Sequence, residues 1–306
     1  MGPITYTRWL GSGIYQKYLG RPAVVALGKC PDYEADVTAA VRNVWQLAGM
    51  PEVQGKRILV KPNLIDIIQG RDTTTSPEVV GAVLDVLTEQ GAGEIAVGDG
   101  PGFHQDARAV ARISGVLEVV EQRGVPFVDL NYDDPQPVPV NDGWLRREEV
   151  LWLPRHAIEA DLIVSVPRLK THHWSGVSLS MKNLFGLVPG ARYGWPKNML
   201  HFNGISATIL GIYRILPKVV AVVDGIRGME GDGPLFGTPV AHGMVVAGED
   251  ALAVDVTCAG LMGFEIEEVE HLALGAWAGV GQAAQIEVRG AVPEDLKRQY
   301  ERPPKL

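Results

Sequence analysis

The residues best suited to chemistry are concentrated in one stretch. KTHHWSGVSLSMKNLFGLVPG, from Lys170 to Gly190, carries adjacent imidazoles at His172 and His173 and amines at Lys170 and Lys182, and His201 follows in MLHFNG. Imidazole accepts, donates or ligates near neutral pH. A lysine amine holds a phosphate, or forms a covalent adduct once desolvated. A lone histidine is usually a satisfied structural residue, and His173 by itself reads that way. The cluster as a whole points to a site. Lys61 and Asn63 follow the run ILV at Ile58 to Val60, and the turn Gly98-Asp99-Gly100-Pro101-Gly102-Phe103-His104 follows IAV at Ile95 to Val97. That turn runs from a strand into a helix. It serves either to aim backbone N–H groups at an anion or simply as a tight turn with glycine at positive φ and Asp106 as N-cap.

Two further features carry acids. Asp224, Glu230 and Asp232 fall in and beside a glycine-rich stretch from Gly225 to Pro239. Its spacing matches no calcium loop, so it reads as an exposed or lid loop rather than a hard-cation site. Asp255 and Cys258 lie one turn apart in the apolar segment ALAVDVTCAG. There Asp255 needs a structural partner and Cys258 reads as a small core residue.

The elements that must position these groups alternate between short buried runs and helical patterns. Strands are predicted at Ala23 to Leu27, Ile58 to Val60, Ile95 to Val97, Pro126 to Leu130, Leu162 to Val166, Val219 to Asp224 and Met244 to Gly248. Helices are predicted at Asp36 to Leu47, from Pro77 with Ser76 as N-cap to a stop at Gly91, and at Ala107 to Arg123, Asn203 to Leu216 and Ala251 to Met262. A Pro-rich excursion between Asp133 and Pro154 reads as an edge hairpin. The pattern predicts an α/β fold, a mostly parallel sheet with helices on both faces. It forms either one unit over residues 1–306 or two lobes, near 20–160 and 161–306, with the site in the cleft between them. Ligands of open α/β sheets bind beyond the carboxyl ends of the strands, where these histidines, lysines and glycines are expected to meet.

Composition narrows the classes. The 306 residues are 46% hydrophobic and 21% charged, a globular mixture. The net charge of −8 argues against nucleic acid as a partner, while a rim carrying Lys61, Arg168, Lys170 and Lys182 is locally suited to a small anionic molecule. Cys30 and Cys258 are the only cysteines, which excludes a disulfide scaffold, a zinc ribbon and an iron–sulfur cluster held by this chain. The opening MGPITYTRWLGSG lacks the pattern of a secretory signal, and no window reaches the roughly 18 apolar residues of a membrane span. A cytoplasmic protein with no membrane partner is expected, and a homo-oligomer is compatible with the sequence. Serine-hydrolase elbows, zincin helices, CxxC pairs and kinase signatures do not occur.

Five blocks in order resemble the domain-of-unknown-function 362 (DUF362) family: VKPN at Val60, TSPEVV at Thr75, VGDGPG at Val97, PRLKTHHWSGVSLSMKNLFGLVPG at Pro167 and VVDGIRGMEGDGP at Val222. Many members of that family carry an attached ferredoxin-like module, whose cysteines this chain lacks. The spacing H-x3-G-x5-K from His172 to Lys182, with LVPG and His201 beyond it, is more distantly similar to the nickel-pincer lactate racemase family. That resemblance implies His172 and His104 as an acid/base pair, Lys182 as anchor of the pincer nucleotide and His201 as ligand to nickel or another divalent metal. The racemase substrate motif is present only as Asp72-Thr73-Thr74-Thr75, without its arginine. The expected cofactor contacts are Lys61, Asn63, Gly98, Gly100, Gly102, Lys170 and Lys182, toward a metal-bearing or phosphorylated cofactor. The expected function is proton transfer of the racemase, epimerase or isomerase type on a small anion. The alternatives are a non-catalytic receptor for a phosphate, organic anion or metal, and an accessory protein of an iron–sulfur partner.

Overall fold

Buried runs of Val, Ile and Leu form the strands, and their alternation sets both faces of one sheet. A computed structural model describes residues 3–66, 73–102, 105–140, 143–145, 148–195, 197, 200 and 204–304, apart from the side chains of 3–9. The strands are β1 (Ala23–Lys29), β2 (Arg57–Pro62), β3 (Glu94–Asp99), β4 (Phe127–Asp129), β5 (Pro135–Pro139), β6 (Val150–Pro154), β7 (Leu162–Val166), β8 (Arg168–His172), β9 (Gly176–Ser178), β10 (Val219–Glu230), β11 (Thr238–Gly248) and β12 (Ile286–Gly290). The main sheet runs β12-β1-β11-β10-β7-β2-β3-β4, with β8 and β9 branching from β10. Along that path β11 alone is antiparallel to its neighbours. Strands from both halves of the chain therefore interleave in one sheet.

On β10, Val219, Ala221 and Val223 enter one core while Val220 and Val222 enter the other. The first core is closed by the helices Ile205–Ile215, Ala251–Leu261 and Glu270–Ala278, and the second by Val37–Leu47, Pro77–Glu89, Ala107–Ile113 and Val116–Gln122. The predicted mostly parallel sheet, covered on both faces, is thus what forms. The expected caps are present. Ser76 Oγ accepts from Val79 N at 3.3 Å and Asp106 Oδ1 from Ala109 N at 2.7 Å.

Several boundaries differ from the expectation for identifiable reasons. The helix read over Ala107 to Arg123 is two helices, because Gly115 takes φ +83° between them. The segment after β7 is not a loop. Arg168 to His172 form β8, paired to β10 and β9, with Arg168 and Lys170 inside the protein. Charged residues in a strand read as a loop unless partners are foreseen. Arg168 Nη1 donates to Thr74 O at 2.8 Å and lies 3.3 Å from Asp224 Oδ2, and Lys170 Nζ donates to Thr73 O at 2.7 Å. The predicted acidic loop from Gly225 to Pro239 is likewise mostly strand, with only the turn between Glu230 and Thr238 outside β10 and β11. The Pro-rich excursion is a hairpin, β5 with β6, forming its own sheet. The helices Pro3–Tyr18 and Glu270–Ala278 and strand β12 had no counterpart in the expected pattern.

Asp224 joins these pieces. Its carboxylate accepts from Ser76 N at 2.9 Å and from the Tyr33 hydroxyl at 3.0 Å, besides facing Arg168. Burial and the Asp224 charge raise the Tyr33 pKa, so the phenol stays protonated and donates. Breaking one side of a buried pair leaves an uncompensated charge. Asp224→Asn is expected to destabilise the protein by about 3–5 kcal/mol, read as a lower urea midpoint; a change below about 1 kcal/mol would show that Arg168 finds other compensation.

Candidate functional site

The strand order places the site. From β2 the chain adds β3 and β4 on one side, then returns to β7 and β10 on the other, so the winding reverses between β2 and β7. The crevice beyond the strand ends at such a reversal is where doubly wound sheets bind ligands. A cavity of about 100 Å³ lies there, lined by Lys61 from the end of β2, Asp99 from the end of β3 and His172 from the end of β8. Asn63, Gly100, Gly102 and Lys182 also line it, joined by Asn183, Phe185, Gly186 and Lys197.

Lys61 and Asp99 form a buried ion pair at its floor. Lys61 Nζ donates to Pro62 O at 2.9 Å and Asn183 Oδ1 at 3.1 Å as well. With the Asp99 contact, its three N–H bonds are used. Burial lowers the Lys61 pKa, and Asp99 beside it opposes that shift. Asp99 in turn accepts from Leu64 N at 2.6 Å and Gly100 N at 2.7 Å. The glycine turn therefore directs its first N–H at a carboxylate of the protein itself. Gly98, Gly100 and Gly102 do not adopt positive φ. At Gly100 the need is space, because a Cβ there would stand 2.7 Å from Asn131 Oδ1 and Gly186 O. Gly186 is constrained harder, since its Cβ would overlap the Lys61–Asp99 pair.

Lys197 sits with φ at +70°, the left-handed region that side chains other than glycine seldom occupy. Its Nζ donates to Gly100 O at 2.8 Å and to Phe185 O and Gly186 O at 3.3 Å, so its donors too are used within the protein. Burial pulls its pKa to about 7.

Lys182 differs from both. It lies on the short helix Ser180–Asn183, whose first N–H groups, of Ser180 and Met181, each donate to Asp255 at 2.8 Å. The structural partner expected for Asp255 is thus the backbone that carries Lys182. Burial pushes the Asp255 carboxyl up to about 7 while these two bonds pull against it. The Lys182 ammonium rests 4.8 Å over the Phe185 ring and has no hydrogen-bond or ion-pair partner among the described residues. Burial, then the neighbouring Lys61 charge, lower its pKa to about 8.

His172 is 6% exposed, and burial followed by the Lys182 charge holds its pKa well below 6.5. Its Nδ1 accepts from Trp174 N at 3.1 Å. The proton of the neutral ring must then sit on Nε2, which makes that atom a donor. His173 is engaged elsewhere, its Nδ1 lying 2.9 Å from Gly233 O.

Among the expected site residues, then, Lys61, Asn63, Gly100, Gly102, His172 and Lys182 share one cavity. Gly98 packs under Val128 and Leu130 instead. Lys170 and Arg168 are buried away from the cavity lining, so the basic rim reduces to lysines 61, 182 and 197. His104, His201 and Asp72 lie outside the described residues. Asp99, Lys197, Phe185 and Gly186 were not foreseen. Asp99 had a visible signal, an acid at a strand end between two glycines; Lys197 had none.

Fold and site together define a doubly wound α/β protein with a lysine-lined cavity at its winding reversal. The chain belongs to the DUF362 family, described as a domain of unknown function, whose sequence model matches residues 58–260. A curated relative, the thylakoid-associated protein sll1697 of Synechocystis, is 29% identical over 267 residues, covering 85% of this chain and 81% of that one. Two solved structures are similar in fold. One is a Thermotoga maritima protein from a structural genomics programme, with TM-score 0.40, 14% identity and 76% of this chain covered. The other is the lactate racemase apoprotein of Thermoanaerobacterium thermosaccharolyticum, with TM-score 0.46, 15% identity and 81% covered. The chain spans 59% and 58% of the lengths of these two structures.

The free amine of Lys182 gives a direct test. Only a deprotonated amine is acylated, so its labelling by acetic anhydride, followed by peptide mass spectrometry, is expected to rise through a midpoint near pH 8. Exposed lysines titrate near 10.4. A Lys182 midpoint above 10 would contradict the desolvated environment described.

Proposed function

We propose that the cavity carries out proton transfer at carbon on a small organic anion, with Lys182 as the base and His172 as the hydrogen-bond donor to the developing oxyanion. The observation that supports this most is that one cavity is lined both by an amine with a pKa of about 8 and no partner among the described residues and by a neutral imidazole whose Nε2 carries the proton. A base poised near the working pH is the most effective proton acceptor. In this reading the C–H bond beside a carbonyl or carboxylate breaks, its proton goes to Lys182 Nζ, and the electron pair moves onto oxygen as an enolate. The His172 Nε2–H donates to that oxygen. The Lys61 ammonium, paired with Asp99 and with its own donors spent, contributes field rather than contacts. Return of the proton to the other face, or to a neighbouring carbon, gives the isomer.

The volume supports a small reacting group. About 100 Å³ holds roughly a few heavy atoms. The lysine-tethered nickel group of the racemase resemblance fits only in part. Lys182 suits a tether, while His201, the metal ligand that the resemblance implies, lies outside the described residues. No step is routed through it.

The test is loss of α-proton signal by NMR in D₂O, across small 2-oxo acids, 2-hydroxy acids and phosphate monoesters. The wild type is expected to exchange at least one class, and His172→Ala and Lys182→Ala each to slow it by about 10²–10⁴-fold without lowering the melting midpoint of the protein. Anion binding without exchange, with affinity indifferent to His172→Ala, would instead establish a non-catalytic receptor.

A further inference from the structure

We propose that the outward face of the first helix (Pro3–Tyr18), over its second half from Leu10 to Tyr18, docks the protein on an anionic lipid surface. The observation is an inverted helix. A helix on a globular surface normally turns its apolar stripe inward. Here Ser12, Gly13 and Gln16, with Gly20 just beyond the helix, face the protein, while Ile14, Tyr18 and Leu19 are 52%, 65% and 73% exposed. Leu10 and Tyr15 are exposed beside them, and Leu10, Ile14 and Tyr18 recur every four residues, so they form one stripe.

The inward side is tightly fixed, so the helix cannot roll its stripe under. A Cβ on Gly13 would stand 1.9 Å from Trp277 O, and one on Gly279 would stand 2.5 Å from the Ser12 backbone. Gln282 Nε2 donates to Gln16 O at 2.7 Å and Gln285 Nε2 to Lys17 O at 3.0 Å. The small and polar side is committed to the fold, and the apolar side is left for something else.

Charge selects the occupant. Arg8, Lys17 and Arg21 lie in or just after this helix, and no Asp or Glu precedes Asp32, in a chain whose net charge is −8. Lys17 and Arg21 are exposed. A basic local segment on an acidic protein is drawn to an anionic surface and holds the rest of the molecule off it. An isologous pair of these helices would bring the same cations together across the two-fold axis, which disfavours a second copy. The exposed side chains also suit a lipid interface. Tyrosines place an apolar ring in the acyl boundary and a hydroxyl in the headgroups, and Lys17 can extend its stem along the apolar stripe with its ammonium outside. No helix of the described residues is long and apolar enough to cross a membrane. The absence of a spanning segment, on which the expectation of no membrane partner rests, does not bear on a helix that lies in the interface.

Cosedimentation of the full chain with vesicles decides it. Binding is expected to vesicles of phosphatidylcholine and phosphatidylglycerol in a 7:3 mixture, and to be at least about tenfold weaker to pure phosphatidylcholine or in half-molar salt. Leu10→Ser/Ile14→Ser/Tyr18→Ser is expected to abolish it. Lys17→Glu/Arg21→Glu, which leaves the stripe intact, is expected to weaken it about a hundredfold or more. All these side chains are exposed, so circular dichroism and the melting midpoint should stay unchanged in both variants. No binding by the wild type, or equal binding by either variant, would overturn the proposal. So would a wild-type dimer in solution that the triple substitution dissociates, which would assign the face to a second copy.

Discussion

The site depends on one buried ion pair. Lys61 and Asp99 come from the ends of neighbouring parallel strands, in a register that aligns Val60 with Val97. Moving two charges out of water costs several kcal/mol each, and the surroundings are built around offsetting that. Asp99 captures the N–H groups of Leu64 and Gly100, and Lys61 takes the Pro62 carbonyl and the Asn183 side chain. Asn183 also donates to Lys61 O at 2.9 Å, locking the helix Ser180–Asn183 to the end of β2. Gly186 leaves the space in which the pair sits. The arrangement is better understood as positioning than as stabilisation, since a buried pair by itself seldom adds net stability.

The same arrangement sorts the three cavity lysines by availability. Lys61 and Lys197 have each spent three donors on the protein, and Lys182, on the helix that Asp255 caps, has not. Desolvation, and then the Lys61 charge, lower the Lys182 pKa to about 8, with no carboxylate in contact with it among the described residues to hold the proton. Which amine lacks a partner among the described residues is thus an outcome of the fold, a property that residue type alone does not express.

Much of the fold was legible before any coordinates. Apolar runs such as Val219 to Val223 lack polar interruption because both faces of their strand are buried, and Ser76-Pro77 and Asp106 mark helix starts through backbone N–H groups that need a local acceptor. The convergence of Lys61, the glycine turn, His172 and Lys182 followed from their places after strands. What misled was charge. Arg168 and Lys170 in β8, and the glycine-and-acid stretch at the end of β10, look solvated along the chain. Arg168 and Lys170 are strand residues because Asp224 and the carbonyls of Thr73 and Thr74, distant in sequence, satisfy them, and the glycine-and-acid stretch is strand through the pairing of β10 with β11. The first helix was not legible at all, and over Leu10 to Tyr18 its apolar stripe faces away from the core.

The sequence by itself determined most of the sheet strands and their covering helices, the two-faced sheet and the strand-end segments with reactive residue types, because those follow from periodicity and from local capping. Only the tertiary structure decided which lysine is free, which imidazole nitrogen bears the proton and which cations are structural. The lysine outcomes rest on contacts between residues distant in sequence, the imidazole outcome on a turn contact that the chain path alone sets, and burial multiplies the consequence of every contact made or missed.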